Sequence, residues 1–453
     1  MSALLKKRNE VDMLSGGFFK TLIIMAVPLA LTSILQQLFN AADTAVVGRF
    51  SFSNAMAAVG SNAPVINVII NLLQGIAIGA NVMIAGFIGG NKKHEVNDAI
   101  HTSYSVALIS GVIMTLIGVV IARPVLELLS TPDNILDLAT TYLRIYFLGI
   151  TFIMIYNIGS SVLRAVGDTQ TPLICLVISG IANVILNLFF VVICKRSADG
   201  VAMATTISNG ISAVLVTSIL IKKEGMLHLD LTKLKLNVGY IRKIFIIGGP
   251  AGIQGAIFSF SNVVIQTAIN SFGSECIAGN SAALNFEYMA YFVVNGFAQA
   301  YMTFISQNYA AGKYDRCRKS LKVAMPSSIC FCALVSVSFY LLRYPLIGLF
   351  TTDSQVIYFA MIRMTYITVL EPLTSTYEIT GASLRGMGRS MTPAIVTLIG
   401  CCGVRLVYIL SMTGRFQNLQ EVLIIYIITW IFTGTVMNFL YFKNIHKLTT
   451  RVG

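Results

Sequence analysis

The chain has 453 residues, of which 56% are hydrophobic and 11% charged, against about 25% charged in an ordinary soluble protein. From Phe50 to Asn91 there is no charged residue. A membrane-spanning helix needs roughly 20 mostly apolar residues, so the composition excludes a soluble fold and predicts an all-α polytopic membrane protein. The net charge of +13 belongs to no soluble basic domain, which excludes nucleic acid as a partner and leaves topology and anionic lipid as its reading.

The first residues, MSALLKKRNEVDMLSGG, are too polar for a cleaved signal peptide, and the apolar run after them is too long. Twelve transmembrane helices are predicted near 18–45, 54–88, 96–121, 135–160, 170–194, 200–221, 240–271, 276–310, 319–342, 356–384, 391–412 and 420–442. Residues 1–17 form a cytoplasmic N-terminal segment and 18–221 an N-terminal six-helix bundle. A polar, basic linker follows at 222–239, then a C-terminal six-helix bundle at 240–442 and a tail at 443–453.

The first segment, VPLALTSILQQLFNAADTAVVGR, carries Gln36, Gln37, Asn40 and Asp43 within apolar surroundings. An ionisable group in lipid is costly and normally faces a bundle interior or a watery cavity. Asp43 lies about 33 Å along an ideal helix from Thr21, which equally suits an interfacial residue near the helix end. In the fifth segment Asn183 and Asn187 are one turn apart on one face, and Thr205 follows in the sixth. Neutral oxygens beside a carboxylate suit a small hard cation; the same side chains also serve as hydrogen bonds between helices.

The end of the fourth segment introduces a repeat. LRAVGDTQTP, starting at Leu163, returns as LRGMGRSMTP at Leu384, 221 positions later. Pro28 and Pro250 are related by 222 positions, as are Gly90 and Gly312. Six helices per half give both halves one orientation, a parallel pseudo-twofold pair. In the second half Glu287 lies among aromatics, and Glu371 and Glu378 are two turns apart with Pro372 between them. Carboxylates beside aromatic rings suit an amphipathic cation. With Gln36, these three acids are the residues expected to line a translocation cleft.

Most lysines and arginines fall on one set of loops, including Lys6, Lys7, Arg8, Lys222, Lys223, Arg316, Lys319 and Arg451. This places both termini in the cytoplasm. The eight cysteines show no metal-binding or disulfide framework, and His94, His101, His228 and His446 show no ligand-like spacing. No HExxH, paired aspartates or Ser/His constellation supports an enzyme.

These residues resemble the multidrug and toxic compound extrusion (MATE) family over nearly the whole chain. The resemblance rests on Pro28, Asp43 and Gly48, on LRAVGDTQTP and its repeat, and on SQNYAAGKYDRCRKS from Ser306. It implies two six-helix bundles that export organic cations or other amphipathic drugs against inward H+ or Na+, with no cofactor. It carries the family's cation site onto Asp43, Tyr142, Asn183, Asn187 and Thr205. Some members have a second aspartate where this chain has Asn187, which leaves one carboxylate for one proton, with Na+ the alternative. The expected function is a cation-coupled multidrug antiporter, a monomer of the cell membrane working by alternating access. The alternative is a lipid or lipid-linked oligosaccharide flippase of related architecture, weighed against by the mainly acidic deep charges.

Overall fold

The computed structural model describes residues 10–50, 53–129, 131–412 and 414–449. Lys6, Lys7, Arg8 and Arg451, used above for orientation, lie outside the described residues. Each predicted segment is helical, and among the described residues there is no strand. The long segments are α1 (Phe18–Phe50), α2 (Ser53–Gly89), α3 (Lys93–Leu128), α4 (Asp133–Ala165), α5 (Gln170–Ile193) and α6 (Ala198–Lys222). They continue as α7 (Val238–Asn270), α8 (Ser274–Ala310), α9 (Tyr314–Leu341), α10 (Ser354–Gly386), α11 (Met391–Met412) and α12 (Leu419–Thr449). All but α8 have the length and hydropathy of a membrane span; α8 has the length but carries Glu275, Glu287 and many amides and hydroxyls.

Three segments depart from regular α geometry. α5 widens into a π turn at Phe189–Ile193, directly after Asn187, and α11 does so at Leu398–Gly403. α10 tightens to a 3-10 stretch at Thr368–Thr374 around Pro372, which has no N–H to give the α ladder. Such irregular turns are frequent near functional sites.

The chain divides into two compact units. One holds Thr32–Gly249 with the described part of Met1–Asp12; the other holds Met13–Leu31 and the described part of Pro250–Gly453. The division thus falls inside α1 and α7, whereas the sequence reading draws it at residues 222–239. Packing explains the difference. In the second unit Gly296 lies against the backbone of Ala26 and Ala30, and Phe18 packs on Phe304 at 4.3 Å between ring centroids. In the first unit Gly79 meets the carbonyl of Ile244, and Gly248 that of Gly75, so closely that a Cβ at either glycine would sit 2.2 Å from the oxygen. Glycine is what lets these backbones touch.

The segment after α6 is therefore part of the first unit. Leu227 and Leu229 are buried in its core, and Asn97 donates to the carbonyl of His228 at 2.9 Å. His101, buried in α3, uses Nδ1 on the carbonyl of Asn97 and accepts the N–H of Asp230 at Nε2. This histidine, which has no ligand-like spacing in the sequence, is a structural pin for the linker. The Thr232 hydroxyl and N–H, with Lys233 beside them, hold the Asp230 carboxyl down at about 2.

The repeated motif has one conformation in both copies. Gly167 and Gly388 adopt φ of 85° and 77°, a left-handed cap that favours glycine. Gly167 N–H donates to Arg164 and Asp168 N–H to Leu163; Gly388 and Arg389 donate likewise to Arg385 and Leu384. The other proposed pairing shifts by one residue. Positive φ occurs at Asn91 and Gly312, not Gly90, and Lys92 to Phe87 matches Lys313 to Asn308. These positions are also 221 apart, the same offset as the motif, because Asn tolerates the left-handed region that Gly otherwise fills.

Candidate functional site

The second half of α1 carries Asp43 into the first unit, where its residue is only 7% exposed. Thr205 on α6 donates its hydroxyl to Oδ2 at 3.0 Å, and Asn187 on α5 donates Nδ2 to Oδ1. Asn187 also donates to Asn183 Oδ1 at 3.2 Å, and Asn183 Nδ2 lies 3.5 Å from the Thr205 hydroxyl. The four side chains close a ring drawn from three helices. The one-turn spacing of the two asparagines, kept regular up to the π turn, is what presents both to the carboxylate. Asn187 Oδ1 is buried and without a hydrogen-bond partner.

The ring sits in the wall of a cavity of about 320 Å³ within this unit. Tyr142 and Gln36 line the same cavity. Tyr142 stacks on Tyr146, with ring centroids 6.4 Å apart and planes inclined by 20°. Among the described lining residues Asp43 is the one carboxylate, and no Lys or Arg contributes. A lone carboxylate held by two donors, beside polar oxygens and a cavity, can bind one monovalent cation or one proton.

The other three acids expected at the cleft belong to the second unit, and two of them, Glu287 and Glu378, are tied to arginines. Glu287 receives Arg363 Nε at 2.7 Å and Nη2 at 3.0 Å, a bidentate pair, and Asn280 takes Arg363 Nη1 at 2.6 Å. Glu378 accepts the Tyr291 hydroxyl at 3.3 Å and lies 3.9 Å from Arg385. Glu371 is buried in the 3-10 stretch, and its Oε2 has no hydrogen-bond partner. Arg405, 1% exposed, donates Nε to Thr429 and lies 4.3 Å from the Tyr426 ring.

These arginines correct the expectation that the deep charges are mainly acidic. In the second unit Arg363, Arg385 and Arg405 balance Glu287, Glu371 and Glu378. The signal was present in the sequence: an arginine inside an apolar run, as in AMIRMTY and GVRLVY, is as costly in lipid as an acid and requires a partner.

The MatE family model matches residues 28–189 and 250–410, one copy in each half. The chain belongs to the MatE family. A probable multidrug resistance protein NorM of Thermotoga maritima is 26% identical over 414 residues, covering 88% of this chain and 86% of that protein. An FAD transporter of Shewanella oneidensis is 24% identical over 359 residues, covering 77% and 78%. Among solved structures, a MOP superfamily transporter from Pyrococcus furiosus superposes with a TM-score of 0.89 at 21% identity, covering 98% of this chain and 99% of that one. At that identity the likeness shows the fold. This MatE chain is a multi-pass membrane protein, and its two matched stretches begin at the prolines Pro28 and Pro250, inside α1 and α7.

Proposed function

We propose that this MatE protein is a multidrug antiporter that exports organic cations in exchange for an inward cation bound at Asp43. The observation that carries the reading is the buried Asp43 carboxylate, held by Thr205 and Asn187 on the wall of a cavity. The cavity is the cargo site. One negative charge there serves either a cationic cargo or the coupling ion, and a second cation has no carboxylate to pair with. Loading one therefore disfavours the other, the coupling an exchanger needs. Alternating access to Asp43 from the two sides of the membrane converts that competition into counterflow. Tyr142, Asn183, Asn187 and Thr205 position the carboxylate and complete its polar shell; Gln36 contacts cargo on the same wall.

We take H+ as the coupling ion, with Na+ the alternative. A proton needs one carboxylate oxygen, whereas a hard metal cation needs several oxygen ligands, and Asn187 turns its N–H toward Asp43. The relatives named above support drug export or carriage of an organic molecule. The flippase alternative is not favoured, since none of those relatives is named for a lipid. The reading places the protein in the cell membrane as a monomer with cytoplasmic termini, without cofactor or catalytic chemistry. Glu287, with its carboxylate occupied by Arg363, enters this proposal as part of the second unit's framework, and Glu371 and Glu378 line the path beside it.

The test is transport of ethidium in proteoliposomes, with a pH gradient and a Na+ gradient imposed separately. Uphill movement driven by the pH gradient alone is expected. Movement that merely equilibrates ethidium under both gradients would overturn the antiport reading.

A further inference from the structure

One face of α9 keeps its basic and apolar residues in separate lengths. Arg318, Lys319 and Lys322 are exposed one and two turns inside the helix, and Pro326, Cys330 and Leu334 continue the exposed stripe toward Leu341 at helical spacing. None of the three basic side chains makes an ion pair or a hydrogen bond among the described residues, and the exposed Asp315, one turn before Lys319, pairs with none of them. Lys313 and Arg316 of the same turn are spent otherwise: they donate to the carbonyls of Leu14 and Ser15 at 2.8 and 2.9 Å, which fixes the turn that presents the other three. In the first half the positions 221 earlier are Asn97, Asp98 and the buried His101. All three are engaged by the segment after α6: Asn97 donates to His228, Lys235 to Asp98, and the N–H of Asp230 to His101. A charge bias that only orients the chain gives no reason for one copy to be covered by protein and the other left bare and basic.

We infer that Arg318, Lys319 and Lys322 hold the phosphate of an anionic phospholipid whose acyl chains lie along the apolar stripe from Pro326 to Leu341. A guanidinium pairs with a phosphate through two parallel hydrogen bonds, and the two ammonium groups add charge on the same edge of the helix. The stripe decides the source of the phosphate. From Lys322 to Leu341 α9 runs about 28 Å, close to the roughly 30 Å of a bilayer's hydrocarbon core. The three bases therefore lie at headgroup level and the exposed side chains after them at chain level. A free phosphate meets the bases equally well but brings no chains to the stripe. The leaflet is the one on the side of the N-terminal segment, whose carbonyls Lys313 and Arg316 hold. The lipid is a resident of the second unit's outer face, and the inference asks nothing of the Asp43 cavity.

Cys330 supplies the probe, since it is exposed on the stripe two turns beyond Lys322 and Cys194 is the other exposed cysteine. Bimane is attached at Cys330 in the full-length Cys194→Ser protein, reconstituted into vesicles of phosphatidylcholine and phosphatidylglycerol with brominated chains on one lipid or the other. Quenching then reports which lipid occupies the stripe. A basic residue near an anionic headgroup contributes about fivefold in affinity, so three are expected to give phosphatidylglycerol a preference on the order of tenfold or more. Ile109 of α3 is the counterpart of Cys330 and is 45% exposed. The same label there (Ile109→Cys with Cys330→Ser) is expected to show a preference of no more than about twofold, because no bare basic cluster lies above it. Combining Arg318→Gln, Lys319→Gln and Lys322→Gln is expected to bring position 330 down to the level of position 109. The comparison of the two labels decides the matter even where that variant fails to fold. Equal quenching by both lipids at position 330, the same preference at both positions, or a preference that survives in the folded triple variant would overturn the inference. Loss of the preference to inorganic phosphate, beyond the loss to sodium chloride of equal ionic strength, would overturn the lipid and leave a site for a free anion.

Discussion

Replacing Glu287 by Gln leaves the guanidinium of Arg363 buried without its carboxylate. In the parent the pair is bidentate, at 2.7 and 3.0 Å, with the two side chains 8% and 2% exposed. Removing one member of such a pair costs about 3–5 kcal/mol, because the remaining charge stays desolvated. Asn280 and the ring of Tyr426, 5.4 Å from the guanidinium, are neutral and do not replace the lost charge. In a unit of this size the loss corresponds to a fall in unfolding temperature on the order of 10 °C. The assay is thermal unfolding in detergent, comparing Glu287→Gln with the double variant Glu287→Gln, Arg363→Met. The double variant is expected to recover most of the loss, since it removes both charges. A parent-like unfolding temperature for Glu287→Gln would refute the reasoning and return Glu287 to the pool of free acids available to a cationic cargo.

Two further outcomes follow from close contacts in the first unit. Gly79→Ala and Gly248→Ala each place a methyl 2.2 Å from a backbone carbonyl, and overpacking of this kind costs about 1–3 kcal/mol; chemical denaturation is expected to show both variants less stable, and unchanged midpoints would contradict the contact. Asn187→Asp sets a second carboxylate beside Asp43, able to hold one more cation. The number of coupling ions per cargo, measured with a pH-sensitive dye beside ethidium flux, is expected to rise from one to two, and an unchanged ratio would show that Asn187 lies outside the coupling site.

The helices were legible because span length and the absence of charge are properties of the sequence itself. The 221-residue repeat was legible for the same reason, and its two glycine caps adopt one geometry. Pairings between distant segments were not. Arg363 meets Glu287 across 76 positions, and no local period announces it, although a deep arginine in an apolar run signalled that some partner must exist. The site stood between these cases. Helical spacing put Asn183 and Asn187 on one face, but only the family resemblance linked that face to Asp43, on a helix 144 positions from Asn187. The unit boundaries inside α1 and α7 were hidden because they depend on glycine contacts between helices, while the polar linker at 222–239 is the more conspicuous feature of the sequence.

The most direct test of the account is uphill transport by Asp43→Asn, with cargo binding measured on the same purified preparation. The substitution keeps the shape and polarity of the side chain and removes its charge. A tenfold ion gradient supplies about 1.4 kcal/mol, so one-for-one exchange in the parent can build a cargo gradient of about tenfold. The account predicts that Asp43→Asn inserts and folds, binds the cationic cargo more weakly than the parent because it has lost the charge that pairs with it, and brings cargo only to equal concentrations on both sides under the same gradient. Accumulation by the variant to the parent's tenfold limit would contradict it and leave Asp43 without a part in coupling.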